Sequence, residues 1–168
     1  MTELERLPIH PVPDKARFAA RNPVLVVDGL VDRPHALSAD EFAHLPRESW
    51  DGDFACEEGW VVPDLHWQGV RLADVLAEAS PQTTAQYVRV GSGDYVVPFT
   101  MEDASKAVLC DILDGQPLTL EQGAPWRLLV PGEQCFTSVK WVDHIEIAAA
   151  PGENTGEQIA RARLASQP

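Results

Sequence analysis

The chain lacks CxxC pairs, a GxGxxG or Walker-type loop, an excess of basic charge and any apolar run of about 18 residues, and each absence removes a class of function. Without the apolar run there is no helical bilayer span. Thirteen Lys and Arg against 26 Asp and Glu leave a formal charge of −13, which argues against nucleic acid or anionic lipid as the main partner. Any phosphate the chain binds must be held by a local pocket. The opening MTELERLPIHPVPDK has neither a basic segment leading into an apolar one nor a small-residue cleavage site. A cytoplasmic location is therefore expected if Met1 is the true start, with export open if the native N-terminus is longer. Three cysteines, Cys56, Cys110 and Cys135, are an odd number without metal-type spacing. They suit neither a disulfide framework nor a zinc site, and reduced thiols are expected.

What is present suits one globular domain: 168 residues, 45% apolar and 23% charged. Residues 1–23, with four prolines, read as an arm wrapping a surface without an element of its own. Residues 24–150 read as the folded domain and 151–168 as a flexible tail, a frayed helix or disordered, because only Ile159, Ala160 and Leu164 could be buried there. Within the domain, PVLVVDGLV reads as a buried strand. Ser38 with Glu41 three residues on forms a capping box that opens a short helix ended by Pro46. WVVPDLHWQGV reads as extended, and RLADVLAEASP places Leu72, Val75, Leu76 and Ala79 on one helical face. AQYVRVGSGDYVVPF reads as two strands around a Gly-Ser-Gly turn, Thr100 caps a helix over MEDASKAVL, and PWRLLVP and TSVKWVDHIEIAAA read as strands. Short helices among strands of both buried and alternating type predict an α+β fold.

Two constellations carry candidate chemistry. In DFACEEGW, Cys56 lies where a strand meets a Gly-containing turn. A buried structural thiol and a metal ligand both fit those residues; the neighbouring Glu57 and Glu58 disfavour a free thiolate, whereas coordination would deprotonate the thiol outright. The five histidines, at 10, 35, 44, 66 and 144, are scattered and form no ligand cluster with it. In QGAPWRLLVPGEQCFTSVKW, Arg127 near the start of one strand, Lys140 in the next and Ser138 between them offer a fork donor, a point charge and a hydroxyl to a phosphate. Simple pairing of both cations with the many acids is the competing reading. Tyr95 is a further hydrogen-bond donor near the Gly-Ser-Gly turn, outside the catalytic set.

In order and spacing, VVDGLVDRPHALSADEFAHLP, FACEEGW, WQGVRLADVLAEASP, YVRVGSGDYVVPFTMEDA, DILDGQPLTLEQGAPWRLLVP and SVKWVDHIEI resemble the molybdopterin-binding oxidoreductase domain of the superfamily of sulfite oxidases and bacterial methionine-sulfoxide reductase catalytic subunits. The resemblance covers residues 18 to 147. It implies an α+β fold of mixed β-sheets with short helices and a molybdenum-pyranopterin (molybdopterin) cofactor. Cys56 falls on the cysteine that binds molybdenum and is the implied catalytic metal ligand. Arg127, Ser138, Val139 and Lys140 fall on positions that hold the pterin and its phosphate, Gln122 on a His or Asn position, Ser92 on a hydroxyl or carboxylate contact, and Arg21 and Asn22 on a shortened Phe-x-x-Arg-Asn-His arm.

Departures bear on substrate. The histidine expected after Arg21-Asn22 is Pro23, and the usual glycine before Ser-x-Lys is absent from PGEQCFTSVKW. Where sulfite oxidases place arginines after the cysteine, this chain has Glu57 and Glu58. At about 4 Å and an effective dielectric of about 20, each like-charge pair with an anion costs on the order of a few kcal/mol. The expected substrate is thus a small neutral or cationic molecule, unless Arg71 or Arg89 points inward. The chain shows no counterpart of the haem and immunoglobulin-like domains of longer sulfite oxidases, so a separate electron-transfer partner is expected. The expected activity is two-electron chemistry of the oxygen-atom-transfer type; the alternatives are a catalytically inactive scaffold of the same fold, or a scaffold docking a partner through its acidic surface.

Overall fold

The computed structural model describes residues 1–166; Gln167 and Pro168, the end of the expected tail, lie outside the described residues. Local chemistry accounts for most of the elements. The arm contains β1 (Thr2–Glu3) and α1 (Asp14–Ala19), followed by β2 (Val24–Gly29), β3 (His35–Ser38) and α2 (Ala39–Ala43). The capping box that opens α2 is formed in both directions: Ser38 Oγ accepts the Glu41 N–H and Glu41 accepts the Ser38 N–H. A long hairpin, β4 (Arg47–Cys56) and β5 (Trp60–Arg71), turns through Glu57-Glu58-Gly59, with Gly59 at φ +92° supplying the left-handed residue.

Then come α3 (Leu72–Ala79), the hairpin β6 (Tyr87–Ser92) and β7 (Tyr95–Thr100), and α4 (Met101–Lys106). In α3, Leu72, Val75, Leu76 and Ala79 are the buried residues, as their spacing predicts; each of the three larger side chains contributes about 1.5–3 kcal/mol by leaving water. Thr100 caps α4 through the Asp103 N–H, and the helix stops at Lys106 rather than running to Leu109. Val108 and Leu109 instead begin β8 (Val108–Leu113), a strand the sequence pattern hides behind a helical signal. β9 (Gln116–Pro117), β10 (Arg127–Leu129), β11 (His144–Ala148) and α5 (Thr155–Ala165) complete the chain.

These strands form two mixed sheets, so the fold is α+β as expected. In the first, β4 covers one edge of β5 while β8 and β1 pair with different ends of β5, and β10 and β9 pair with β8. In the second the order is β3-β2-β11-β6-β7, with β11 parallel to β2 and antiparallel to β6. The larger apolar core lies around the second sheet with α3, Trp126 and Leu128; a smaller one gathers Phe54, Trp67, Val108, Cys110 and Leu129 on the first.

Both termini differ from their expectation. The arm does wrap a surface, but Thr2 and Leu4 donate to Gly59 and Val61 carbonyls at 2.7 and 2.8 Å, which makes β1 a parallel strand beside the tip of the β4–β5 hairpin. Leu7 is buried in the smaller core. At the other end, residues 155–165 form a helix, the first of the two readings of the tail, but it is anchored where fraying was expected. Asn154 caps it through the Glu157 N–H, and the Thr155 side chain bonds Val96 N and Asp94 O, fastening its first turn to β7. Polar anchoring of this kind leaves no mark in a hydrophobic pattern.

Candidate active site

Cys56 is the last residue of β4, 3% exposed, at the tip where β4 turns into β5. Its sulfur is bonded to that of Cys135, a residue 79 positions away whose Cα lies at 5.1 Å. Among the described residues the free cysteine is Cys110, buried on β8, where burial pushes its thiol up to about 12. The expectation of three reduced thiols is therefore corrected. Sequence spacing could not show the pair, because the partner sits in a 3-10 turn, Cys135–Thr137, that only the tertiary fold carries to the hairpin tip. Glu57 helps to hold it there: its carboxylate accepts the Cys135 N–H at 3.2 Å and lies 4.0 Å from the Cys56 sulfur. The ligand atoms of Cys56, Glu57 and Cys135 all fall within 4.8 Å of one another, a cluster of metal-ligating type. The signal for Cys135 was present in the sequence as a second cysteine three residues before Ser138.

Arg127 opens β10 and is 5% exposed. Its Nε donates to Ser138 Oγ at 2.9 Å and its Nη1 to the Gln122 carbonyl at 3.2 Å, while the guanidinium carbon stands 5.1 Å from the Phe54 ring and 5.4 Å from Trp67. Phe54 precedes Cys56 by two residues on β4, so this buried cation and the Cys56 sulfur share one strand end. No carboxylate pairs with Arg127 or Lys140 among the described residues. The competing reading, simple pairing with surface acids, is thereby corrected. Burial pulls Arg127 down to about 10. Burial, then Arg127 and Arg163, pull the Lys140 ammonium down to about 7, and its hydrogen bond goes to the Glu121 carbonyl at 2.8 Å.

Lys140 lies in an irregular segment before β11, not in a strand as the sequence pattern suggested. Two contacts set its place. Trp141 donates its backbone N–H to the Gly123 carbonyl at 3.1 Å, and a Cβ on Gly123, at φ +114°, would lie 3.0 Å from Lys140 Cβ and Cγ. Glycine is needed there for both backbone and space. Ser138 Oγ donates on to the Leu128 carbonyl at 2.8 Å, the Val139 carbonyl accepts from Leu128 N at 2.9 Å, and the Gln122 side chain accepts from Thr119 N at 2.9 Å. Ser138, Val139, Gln122, Arg127 and Lys140 thus form one hydrogen-bonded unit. Ser92 lines a cavity of about 150 Å³ with Pro23, Gly93 and Trp141, next to that unit. Arg21 and Asn22 are exposed after α1 and do not line it.

Two side chains that the sequence reading left aside belong here. Arg163, on α5, and His10, in the arm, both act on the Lys140 surroundings: His10 is lowered from its ordinary range by burial first, then by Lys140 and Arg163, with Glu58 opposing. The Arg163 guanidinium lies 6.0 Å from the Tyr95 ring. Tyr95 itself gives its proton to the Phe136 carbonyl at 2.7 Å, and burial pushes it up to about 12. Neither Arg71 nor Arg89 turns toward the site; Arg71 meets Asp74 and Glu48, and Arg89 meets Glu146 and the carbonyls of Ala150 and Pro151. No helix among the described residues is long and apolar enough to cross a membrane.

The donor set suits an anionic chelate of a soft metal: a sulfur at the strand end, the buried Arg127 packed on the same strand, and the half-buried Lys140 near Arg127, both cations without a paired carboxylate among the described residues, a costly arrangement in a ligand-free protein. Comparison with known proteins agrees. The family model for the oxidoreductase molybdopterin binding domain matches residues 10–155. The uncharacterized oxidoreductase YuiH of Bacillus subtilis (strain 168) is 34% identical over 125 residues, covering 73% of this chain and 63% of YuiH. The NADPH nitrate reductase of Beauveria bassiana is 25% identical over 173 residues, covering 86% of this chain and 19% of the reductase. The crystal structure of the sulfane dehydrogenase SoxCD from Paracoccus pantotrophus superposes with a TM-score of 0.71 at 24% identity, over 77% of this chain and 39% of that one. The chain spans less than two thirds of each of these relatives. It belongs to the oxidoreductase molybdopterin-binding domain family, and its fold is that of the SoxCD structure.

Proposed function

We propose that the chain is an oxidoreductase that binds a molybdenum-pyranopterin cofactor and acts on a small neutral or cationic molecule. The observation that carries this reading is the buried Arg127, packed on Phe54 of the strand that ends in Cys56, with the half-buried Lys140 near it and no carboxylate paired with either among the described residues. In a chain of charge −13 such cations have abundant acids to pair with and, among the described residues, pair with none. When bound, the cofactor supplies two-electron redox chemistry of the oxygen-atom-transfer kind. The chain supplies everything around it. Cys56, as a thiolate, is the metal ligand; Arg127 forks toward the phosphate with its remaining guanidinium N–H groups, and Lys140 adds a point charge. Ser138 orients the Arg127 fork through the 2.9 Å bond, while Val139 and Gln122 hold the backbone that frames it. Ser92 completes the slot from the arm side, while Arg21 and Asn22, exposed outside the cavity that Ser92 lines, would reach a cofactor only from its solvent side.

Glu57 and Glu58 lie on the hairpin tip beside Cys56, and Glu58 is also one of the charges felt by His10, which burial, Lys140 and Arg163 hold toward its neutral form. Two carboxylates beside the metal ligand disfavour an anion and leave a neutral or cationic molecule, and Arg71 and Arg89 are engaged elsewhere. Electrons pass to or from a separate protein or small carrier, and a cytoplasmic location is part of the same reading. The test is elemental and pterin analysis of protein made in a host that synthesises the cofactor. About one molybdenum per chain is expected in the wild type and loss of it in Cys56→Ser; metal that survives the substitution removes Cys56 from its role.

A second reading is a catalytically inactive scaffold. It is favoured by the exposed Arg21 and Asn22 and by Pro23 at the arm's histidine position. Absence of metal from both proteins would favour it.

A further inference from the structure

We infer that Cys56 and Cys135 form a redox-active pair that opens and closes the proposed metal ligand. The inference rests on the assignment of Cys56 as that ligand. A sulfur already bonded to carbon and to a second sulfur offers no thiolate, and the thiolate is the form that coordinates. The joined pair and the metal-bound Cys56 are therefore mutually exclusive states of one atom.

The geometry suits reversible joining. A Cα separation of 5.1 Å lies within the disulfide range of about 4.4–6.8 Å without backbone movement. The two partners differ in access and in setting. Cys56 is 3% exposed and fixed by the β4–β5 ladder, whereas Cys135 is half-buried on a 3-10 turn outside both sheets. Between that turn and β4 lies a cavity of about 190 Å³ lined by Asp53, Phe54, Gly132 and Cys135, which gives the turn room to swing away. Glu57 marks the closed position by accepting the Cys135 N–H at 3.2 Å.

The reaction is thiol–disulfide exchange with a thiol reductant. Its thiolate attacks the sulfur of Cys135, the less buried of the two, the Cys135–Cys56 bond breaks, and Cys56 leaves as a thiolate. A second thiolate then attacks the reductant's own sulfur in the mixed disulfide and releases Cys135. The protein pair gains two electrons and two protons, and two reductant thiols become one disulfide. The freed Cys56 thiolate is then available to the metal, and the reverse exchange with an oxidised thiol withdraws it when no metal is bound.

The test uses the full-length protein, made without cofactor and incubated under native conditions in mixtures of reduced and oxidised glutathione. It is then denatured and alkylated, and the labels are counted by mass spectrometry. One label per chain, on Cys110, is expected at the oxidising end and three at the reducing end, with Cys56 and Cys135 changing together. Three labels throughout, or glutathione adducts without a Cys56–Cys135 link, would overturn the inference. So would a single label throughout, which would make the bond a fixed structural one. In a second arm, oxidised and reduced samples are mixed with molybdenum cofactor freed from another molybdoenzyme. Oxidised wild type should take up at least tenfold less metal than reduced wild type, and oxidised Cys135→Ser should load like reduced wild type. Equal loading of oxidised and reduced wild type would sink the switch. Loading of Cys56→Ser equal to wild type would instead sink the ligand assignment, whatever the thiol count. If Cys56→Ser fails to load but the wild-type thiols never join, the ligand assignment stands and this inference falls.

Discussion

The Glu57 carboxylate accepts the backbone N–H of Cys135 at 3.2 Å, tying the tip of one hairpin to a turn that is remote in sequence. A hydrogen bond to a charged acceptor contributes about 1.5–3 kcal/mol, less where water competes. Glu57→Ala should therefore cost about 1–2 kcal/mol in urea unfolding and slow the joining of Cys56 to Cys135 several-fold. Glu57→Gln keeps a carbonyl oxygen in place and should lose less on both counts. Equal effects of the two substitutions would show that the carboxylate acts through its charge and not through this bond.

Arg127 holds a charge in a place that water does not reach, against Phe54 and Trp67 and without a carboxylate. An uncompensated buried charge destabilises a ligand-free protein, and an apolar side chain of similar length relieves that. Arg127→Met should leave the melting temperature of cofactor-free protein unchanged or a few degrees higher, while pterin retention falls tenfold or more. A large drop in melting temperature would mean that Arg127 serves the fold.

Lys140 gives a pH dependence with a definite sign. Its ammonium is pulled from 10.5 to about 7 by burial, Arg127 and Arg163, with Glu121 opposing. Between those values the unfolded chain holds more protons than the folded one, so cofactor-free stability should rise with pH across that window. An anion bound at Lys140 favours the charged form, so phosphate binding takes up a proton above about pH 7. Pterin retention, measured as fluorescence of the released pterin, should fall several-fold from pH 6 to 9, about the span of that titration. Lys140→Arg stays charged throughout and should flatten the profile; parallel profiles would exclude Lys140 as the titrating group.

Gly123 is the point where the Gly-Ala-Pro turn touches Lys140. At φ +114°, with a Cβ destined to lie 3.0 Å from Lys140 carbons, Gly123→Ala meets backbone strain and a clash together. It should cost about 1–3 kcal/mol and lower cofactor retention as well. Normal retention in a destabilised variant would separate the turn from the slot.

Much of this was legible in the chain because it depends on neighbours in sequence. The Ser38–Glu41 capping box, the buried face of α3, the Thr100 cap and the β6–β7 hairpin are local, set by backbone hydrogen-bond demand and by the helical and strand periods. The composition excluded a helical membrane span and argued against nucleic acid, and the order of motifs carried the family and the α+β class. Tertiary structure alone decided the rest. It joined Cys56 to Cys135 across 79 residues, laid β1 beside the hairpin tip, and fastened α5 to β7 through Thr155. It also brought Arg163 and His10 to Lys140. These depend on where distant segments meet, and a polar contact or a single thiol has no period by which a sequence could announce its partner.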